Sequence, residues 1–329
     1  MQDARLIGAS QAHRSLVETL CKVAPTDAEV LVSGASGVGK ELYARFVHAH
    51  SPRKDSQFIP INCGALNGEL LENELFGHVG GAFTGAQPQR SGLVAAGEGG
   101  TLFLDEVEAL SPVNQVKLLR FIQEKEYRRL GETRIKRANV RFIAATNADL
   151  QVAVKDGWFR ADLFFRLRVV PIYVPPLRER SEDIEPLIDE FVVRYAGEYG
   201  APPIILNAAA RTAMQTYSWP GNIRELENCV RYLTCLQLSR PVDVSDLPLL
   251  PLLDSKRELN GSLRAFQREK REVIDRFERD YLEQALQQSD GNISRAAQSS
   301  GKARRAFFEL LRKHQIDVRP FRNGNSHQP

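Results

Sequence analysis

The sequence predicts an α/β fold with a mostly parallel sheet, followed by a helical subdomain and an all-helical C-terminal region. Over residues 1–174, short apolar runs bounded by turn residues alternate with amphipathic helical patterns. Strands that alternate with helices usually pair in parallel and are covered on both faces. The alternation of strand and helix patterns along the chain therefore indicates a buried parallel sheet. The predicted strands are Glu29–Ser33, Phe58–Asn62, Thr101–Leu104, Val140–Thr146 and Val169–Val174.

The chain divides into four predicted segments. Pro175-Pro176 ends the α/β part, and three amphipathic helical patterns follow it. A stretch rich in Pro, Leu and Asp after Arg240 predicts a linker, and a long charged helix and two short helical stretches come next. The segments are an α/β domain at 1–174, a helical subdomain at 175–240, a linker at 241–261 and a C-terminal helical domain at 262–329.

Charge is distributed unevenly along the chain. The whole chain carries +3, whereas residues 291–329 contain eight Lys/Arg and two Asp/Glu. This C-terminal excess favours a polyanionic partner such as double-stranded DNA. Four cysteines without a C-x-x-C pair argue against a disulfide framework or a zinc site. No apolar run reaches membrane-spanning length, so a cytoplasmic protein without membrane insertion is expected.

A glycine-rich segment after the first strand predicts a phosphate-binding loop. It follows the apolar run at 30–32 and opens a helix, which is the context that such a loop needs. Backbone N–H groups would converge on the phosphate oxygens of a nucleotide, and Lys40 would supply a cation. A glycine-rich turn without a ligand is the alternative. The predicted binding residues are Gly34, Ala35, Ser36, Gly37, Val38, Gly39, Lys40 and Glu41, the last in place of the usual Ser or Thr.

A second motif, G-T-L-F-L-D-E at 100–106, is an apolar strand that ends in two carboxylates. A parallel strand that ends beside the phosphate loop would place Asp105 near Mg²⁺, and Glu106 could then polarise the attacking water. Alone, an apolar run followed by Asp-Glu is often a plain strand end. Its position after Lys40 favours a nucleotide site.

Seven motifs together resemble one family. The chain is similar to the bacterial enhancer-binding proteins, which are sigma-54 activators and AAA+ P-loop ATPases, from about Leu6 to about Ile316. The resemblance implies an AAA+ fold with a helical lid. Ala35 and Val79-Gly80 depart from the residues that are usual in the family. The motifs are S-G-V-G-K-E, E-L-F-G-H, G-A-F-T-G-A, G-G-T-L-F-L-D-E, F-R-A-D-L-F-F-R-L, P-P-L-R-E-R and W-P-G-N-I-R-E-L.

The resemblance also implies roles for individual residues. Asn62 would hold Glu106 away from water until the γ-phosphate is sensed, and Asn147 would act as the first sensor. Arg160 and Arg166 would reach the ATP of the neighbouring subunit, whereas Arg224 would contact the nucleotide of its own subunit. A surface ion pair is the alternative for each arginine. Residues supplied between subunits imply a ring, with a hexamer as the active homo-oligomer and a dimer as the inactive form.

The loop at 80–86 is rich in small residues and carries one aromatic side chain. From the residues alone, a plain connection between helices is equally compatible. The resemblance implies that the loop moves with the nucleotide state and contacts sigma-54 through Phe83 and Thr84.

The C-terminal region predicts a helix-turn-helix, with a turn at Gly301 and a basic second helix at 303–313. It is similar to Fis-type DNA-binding domains, although a helical hairpin that only dimerises is the alternative. The candidate DNA-binding residues are Lys302, Arg304, Arg305, Arg312 and Lys313.

The leading hypothesis is therefore an ATP-hydrolysing activator that binds DNA and remodels RNA polymerase containing sigma-54. A DNA-bound regulator or repressor of the same fold, without remodelling, is the alternative. A replication or protein-unfolding machine would leave the G-A-F-T-G-A motif beside a helix-turn-helix unexplained. Since the sequence opens close to the predicted ATPase, regulation by a protein in trans or by expression is expected.

Overall fold

The computed structural model describes residues 6–65, 69–80 and 90–249, and part of the C-terminal region. The chain separates into two units, Met1–Leu249 and Leu250–Pro329, which are described in turn. In the second unit the described residues are 279, 281–283, 285–287, 289, 291–300, 307, 308, 310, 311, 314 and 316.

A five-stranded, fully parallel sheet forms the centre of the first unit, in the order β2-β5-β8-β1-β9. Each predicted strand is confirmed to within one residue at either end. The edge strands β2 and β9 each carry an exposed proline, Pro60 and Pro171, which cannot donate to a further strand. The strands of this unit are β1 Val30–Ser33, β2 Phe58–Asn62, β3 Gly77–His78, β4 Arg90–Ser91, β5 Thr101–Asp105, β6 Glu126–Tyr127, β7 Lys136–Arg137, β8 Arg141–Thr146 and β9 Val170–Tyr173.

Helices cover both faces of this sheet, as the alternation of elements predicts. Successive residues of β5 point to opposite faces, so Leu102 and Leu104 pack into one apolar core and Phe103 into the other. The first core is shared with the helices α3, α5 and α7, and the second with α1 and α2. The helices of the α/β part are α1 Gln11–Val23, α2 Lys40–Ala49, α3 Glu69–Phe76, α4 Leu93–Ala96, α5 Pro112–Glu124, α6 Leu150–Lys155 and α7 Ala161–Leu167, with a 3-10 turn at Val107–Ala109.

Three helices form a lid with its own core, as predicted. The side chain of Trp219 is buried in that core and donates from Nε1 to the carbonyl oxygen of Met214 at 2.8 Å. Residues 242–249, at the start of the predicted linker, pack against the same core through Val242. The lid contains α8 Ile184–Tyr199, α9 Ala208–Thr216 and α10 Asn222–Leu236, with 3-10 turns at Leu177–Glu179, Ser181–Asp183 and Val244–Asp246.

In the second unit, helix α11 spans Ile293–Ser299. Ala296 and Ala297 on this helix are buried with Leu286 and Phe307 in a small apolar core. The Asn292 side chain accepts hydrogen bonds from the N–H groups of residues 294 and 295, which fixes the start of the helix. Across the described residues of both units, no helix is long and apolar enough to cross a membrane.

Candidate nucleotide site

The segment Gly34–Lys40 connects β1 to α2 at the carboxyl edge of the sheet. Gly37 adopts a left-handed backbone conformation, with φ of 77°, and a Cβ there would lie 2.2 Å from the carbonyl oxygen of Gly221 in the lid. Only glycine meets both requirements, because other residues avoid positive φ and would clash with the lid. The turn is thus built for close backbone packing between the loop and the lid.

Lys40 is the first residue of α2 and faces the carboxylates that follow β5. Its Nζ atom donates to the carbonyl oxygens of Gly34 and Ala35 at 2.9 and 3.1 Å. Burial lowers the pKa of Lys40, and the negative charges of Asp105 and Glu108 oppose that shift. The ammonium group therefore lies in a partly dehydrated site where a phosphate could replace the carbonyl contacts.

Asp105 and Glu106 stand where β5 ends, as the motif predicts. Glu106 has a left-handed backbone, with φ of 55° and ψ of 47°, and its N–H donates to Asp105 Oδ1 at 3.0 Å. Burial raises the pKa of Asp105, while the bond from the Glu106 N–H and the charge of Lys40 lower it. A non-glycine residue in this conformation costs roughly 1–3 kcal/mol, and such strain concentrates at functional sites.

Asn62 ends β2 directly opposite Asp105 in the strand register. Its side-chain oxygen accepts hydrogen bonds from the N–H groups of Gly64 and Ala65 at 2.8 and 2.9 Å. A Cβ on Gly64 would lie 2.5 Å from Glu106 Oε2, so the glutamate carboxylate rests against this turn. Among the described residues, no hydrogen bond joins the Asn62 amide to Glu106.

Asn147 follows β8, between the ends of β1 and β5, and its side chain is exposed. Its N–H group donates to Glu108 Oε1 at 3.3 Å. Glu108 Oε2 is buried and forms no hydrogen bond with any other described residue. The sequence did not indicate Glu108 as a site residue. It lies in a 3-10 turn beyond the strand, where no hydrophobic periodicity marks it.

The first turn of α10 brings the lid onto the loop. Arg224 Nη1 lies 3.4 Å from Ser36 Oγ, and the Arg224 N–H donates to the Gly37 carbonyl oxygen at 3.3 Å. The Asn222 side chain also donates to the Ser36 carbonyl oxygen, at 2.9 Å. Arg224 was a candidate from sequence, whereas Asn222 was not, although it lies in the W-P-G-N-I-R-E-L motif.

Arg160 and Arg166 lie at the two ends of α7, where Arg160 is exposed and Arg166 is half-buried. Arg160 forms an ion pair with Asp162 at 2.7 Å, and Arg166 one with Glu29 at 3.7 Å. Glu29 immediately precedes β1, whereas the glycine-rich loop immediately follows it. A strand of this length spans roughly 13 Å, so the Arg166–Glu29 pair lies at the opposite end of β1 from the loop.

The strands that precede and follow the G-A-F-T-G-A motif in the sequence, β3 and β4, pair antiparallel in a two-stranded ribbon. The N–H of Val79 donates to the Leu130 carbonyl oxygen, and the N–H of Leu130 donates to that of Gly77. Residues 81–89, with Phe83 and Thr84, lie outside the described residues. So do Lys302, Arg304, Arg305, Arg312 and Lys313, the candidate DNA-binding residues.

Comparison with known proteins identifies the family. Residues 6–173 match the family model of the sigma-54 interaction domain. The chain belongs to the sigma-54-dependent transcriptional activators. Residues 178–260 of this activator match the AAA+ ATPase lid domain, and residues 273–308 match bacterial regulatory proteins of the Fis family. The activator is therefore an AAA+ ATPase with a Fis-type DNA-binding domain.

Individual relatives agree with this assignment. The activator is 43% identical over 308 residues to the transcriptional regulatory protein GlrR of Escherichia coli, covering 93% of this chain and 67% of GlrR. Crystal structures of NtrX from Brucella abortus in complex with ADP and with ATP have TM-scores of 0.71 and 0.69. Both are 34% identical and cover 96% and 95% of the activator, and 70% and 69% of the NtrX chain.

Proposed function

We propose that this activator hydrolyses ATP in a homo-oligomeric ring and uses the nucleotide cycle to move the loop at 80–86 against sigma-54. The remodelling converts the closed complex of RNA polymerase at a promoter into the open complex. One observation carries the proposal: Lys40, Asp105 and Glu106 meet at one edge of the sheet, and Arg224 of the lid contacts the glycine-rich loop there. A lysine cation and a helix N-terminus suit the phosphates of a nucleoside triphosphate, and the two carboxylates suit its metal ion and the attacking water.

Asp105 fits a magnesium site. Among the described residues no group of three or more His, Cys, Asp or Glu side chains could hold a metal by itself. Mg²⁺ is commonly bound through one or two carboxylates and the substrate phosphates, so Asp105 alone is a sufficient protein ligand. Glu41 pairs with Arg45 on α2 and does not supply one. Bound Mg²⁺ would neutralise charge that develops on the phosphates.

The remaining roles divide between hydrolysis and its sensing. Glu106 polarises the attacking water, and Asn62, one strand away, controls where the Glu106 carboxylate lies. Asn147 senses the γ-phosphate from the end of β8, with its backbone fastened to Glu108. Gly34–Glu41 bind the phosphates.

The arginines of α7 act between subunits. The Arg166–Glu29 pair lies at the far end of β1 from the loop of its own chain, which supports delivery to a neighbouring ATP. A planar guanidinium stabilises charge spread over the transferring phosphoryl group. If every subunit delivers arginines to the ATP of its neighbour, the subunits form a closed ring. We propose a hexamer as the active form and a dimer as the inactive form.

The partners follow from the family. Phe83 and Thr84 contact sigma-54, and the C-terminal domain binds DNA upstream of promoters through Lys302, Arg304, Arg305, Arg312 and Lys313. We place the activator in the cytoplasm, and a regulatory protein acting in trans fits the same scheme.

Two variants test the proposal by in vitro transcription from a sigma-54 promoter, in parallel with ATPase assays. Glu106→Gln should bind ATP, fail to turn it over and support no transcription. Thr84→Ala should hydrolyse ATP at the wild-type rate and still support no transcription. Normal transcription with Thr84→Ala would remove the loop from the mechanism, and normal turnover with Glu106→Gln would remove the proposed base.

A further inference from the structure

Three consecutive carbonyl groups of the glycine-rich loop each accept a hydrogen bond from the lid side. Asn222 Nδ2 donates to Ser36 O at 2.9 Å, and the Arg224 N–H donates to Gly37 O at 3.3 Å. Arg180 Nη2 donates to Val38 O at 2.9 Å. The donors lie 142 to 187 positions from their acceptors in the sequence.

The direction of these bonds matters because peptide groups are planar and trans. In a trans peptide the C=O of one residue and the N–H of the next point in opposite directions. Holding the carbonyls of residues 36–38 toward the lid donors therefore turns the N–H groups of Gly37, Val38 and Gly39 to the opposite side. Those N–H groups are the ones that a phosphate-binding loop presents to its anion.

Arg180 is held rigidly. It is 2% exposed, and Nη1 donates to Tyr43 Oη at 3.1 Å. The guanidinium also lies 3.7 Å from the carboxylate of Asp183, which is fully buried. Asp183 in turn accepts hydrogen bonds from the N–H groups of Ala9 and Ser10, both at 2.7 Å.

A buried ion pair of this kind adds little net stability, because dehydration of both charges offsets their attraction. It does restrict geometry, since the planar guanidinium can reach the Val38 carbonyl and Tyr43 only in one orientation.

Asn222 is held as firmly, by contacts of its own within the lid. It is 2% exposed, has a φ of 55°, and its side-chain oxygen accepts from the Leu177 N–H at 2.8 Å. The side-chain oxygen of Asn222 is therefore held by Leu177, and this directs the side-chain NH₂ group at the Ser36 carbonyl oxygen.

We propose that Arg180 and Asn222 are positioning residues for nucleotide binding, which orient the loop N–H groups by holding the loop carbonyls from the lid. The inference rests on the proposed assignment of residues 34–40 as the phosphate loop. Neither side chain needs to touch the nucleotide. The affinity of the site is then coupled to lid position, and through Asp183 to the segment that precedes α1.

The test uses the full chain and equilibrium titration with ADP, together with ATP steady-state kinetics. Arg180→Met keeps the volume of the side chain and removes both donors. Asn222→Asp keeps the acceptor for Leu177 and tolerates positive φ, but removes the donor to Ser36. Each should weaken ADP binding roughly tenfold, which corresponds to about 1.4 kcal/mol. The KM for ATP should rise by a similar factor, with kcat within about twofold of wild type.

Arg141→Met is the matched control. Arg141 is also a buried arginine, 1% exposed, whose guanidinium donates to the carbonyl oxygens of Ala24 and Val23. It is the first residue of β8, its side chain reaches the C-terminal end of α1, and it forms no hydrogen bond to the loop among the described residues. This variant should lower the unfolding temperature and leave ADP affinity unchanged, whereas Arg180→Lys should bind ADP with intermediate affinity.

Three outcomes would overturn the inference. ADP affinities within twofold of wild type for folded Arg180→Met and Asn222→Asp would do so, as would an equal loss in Arg141→Met. If Arg180→Met fails to fold, unchanged affinity in Asn222→Asp alone is sufficient. A Lys40→Ala variant separates the two hypotheses, because wild-type ADP affinity in that variant would refute the phosphate loop itself.

Discussion

Replacing Gly64 with alanine should move the catalytic glutamate without unfolding the protein. A Cβ at Gly64 would lie 2.5 Å from Glu106 Oε2 and 3.2 Å from Asn62 Oδ1. To reach an ordinary contact of 3.4 Å, the Glu106 oxygen must retreat by about 0.9 Å. Because that oxygen is the far end of a flexible side chain, its retreat should cost little stability.

The cost should appear in catalysis instead. A displacement of about 1 Å in a reacting group can lower a rate about 100-fold. We expect kcat for ATP hydrolysis to fall on the order of 10- to 100-fold in Gly64→Ala, with ADP affinity unchanged, because Lys40 and the glycine-rich loop are untouched. ATPase kinetics, ADP titration and thermal unfolding measure the three quantities.

Gly197→Ala is the control for the substitution itself. Gly197 lies within α8, and a Cβ there would meet no atom within 4 Å. Alanine should raise the free energy of unfolding by roughly 0.5–1 kcal/mol and leave ATP hydrolysis unchanged. A wild-type kcat in Gly64→Ala would refute the argument that Glu106 acts from its position beside this turn. Parallel losses of ADP affinity and kcat would show that the effect does not pass through Glu106.

Three further predictions concern Arg166, His48 and Trp219, and Glu29→Gln is the control for the first. Arg166→Ala breaks a half-buried ion pair whose charged atoms lie 3.7 Å apart, and should change the free energy of unfolding by about 1 kcal/mol or less, yet lower ATP hydrolysis roughly 10³-fold. Glu29→Gln breaks the same pair and should retain hydrolysis, so equal losses in the two variants would contradict a role between subunits. Burial lowers the pKa of His48, so the stability it contributes is present above about pH 6.5 and lost as the pH falls through its folded pKa. The unfolding temperature should drop less between pH 7.5 and 5.5 in His48→Gln than in wild type, and an equal drop would exclude His48. Trp219→Phe removes the donor to the Met214 carbonyl oxygen in the lid core and should cost about 2 kcal/mol in urea denaturation. Unchanged stability would show that this bond adds nothing.

Short-range patterns carry most of what could be predicted about the fold. The apolar runs are four to six residues long and are flanked by turn residues, so their hydrophobicity marks β1, β2, β5, β8 and β9 without tertiary information. The two-residue strands β3, β4, β6 and β7 could not be predicted in this way. Two residues are too few to show a period, and their pairing depends on neighbours in space.

The residues of the candidate site differ in the same way: a local sequence pattern marks some of them and not the others. Lys40 is recognisable because it ends a glycine-rich segment and opens α2, and Asp105 and Glu106 because they stand at the end of an apolar strand. Glu108, Arg180 and Asn222 carry no such signature of their own, although the last two lie within quoted motifs. The roles of Asn62, Asn147, Arg160, Arg166 and Arg224 remain predictions.

The sequence by itself determined the succession of strands and helices along the chain, the family, and the polar residues at the ends of the strands. Each of these is recognised from residues that are neighbours in the sequence. Only the tertiary structure decided which side chains hold the phosphate loop in shape. Arg180 and Asn222 reach loop carbonyls 142 and 186 positions away. The direction in which a buried donor points is set by the packing of the lid on the loop, and no local pattern records that packing.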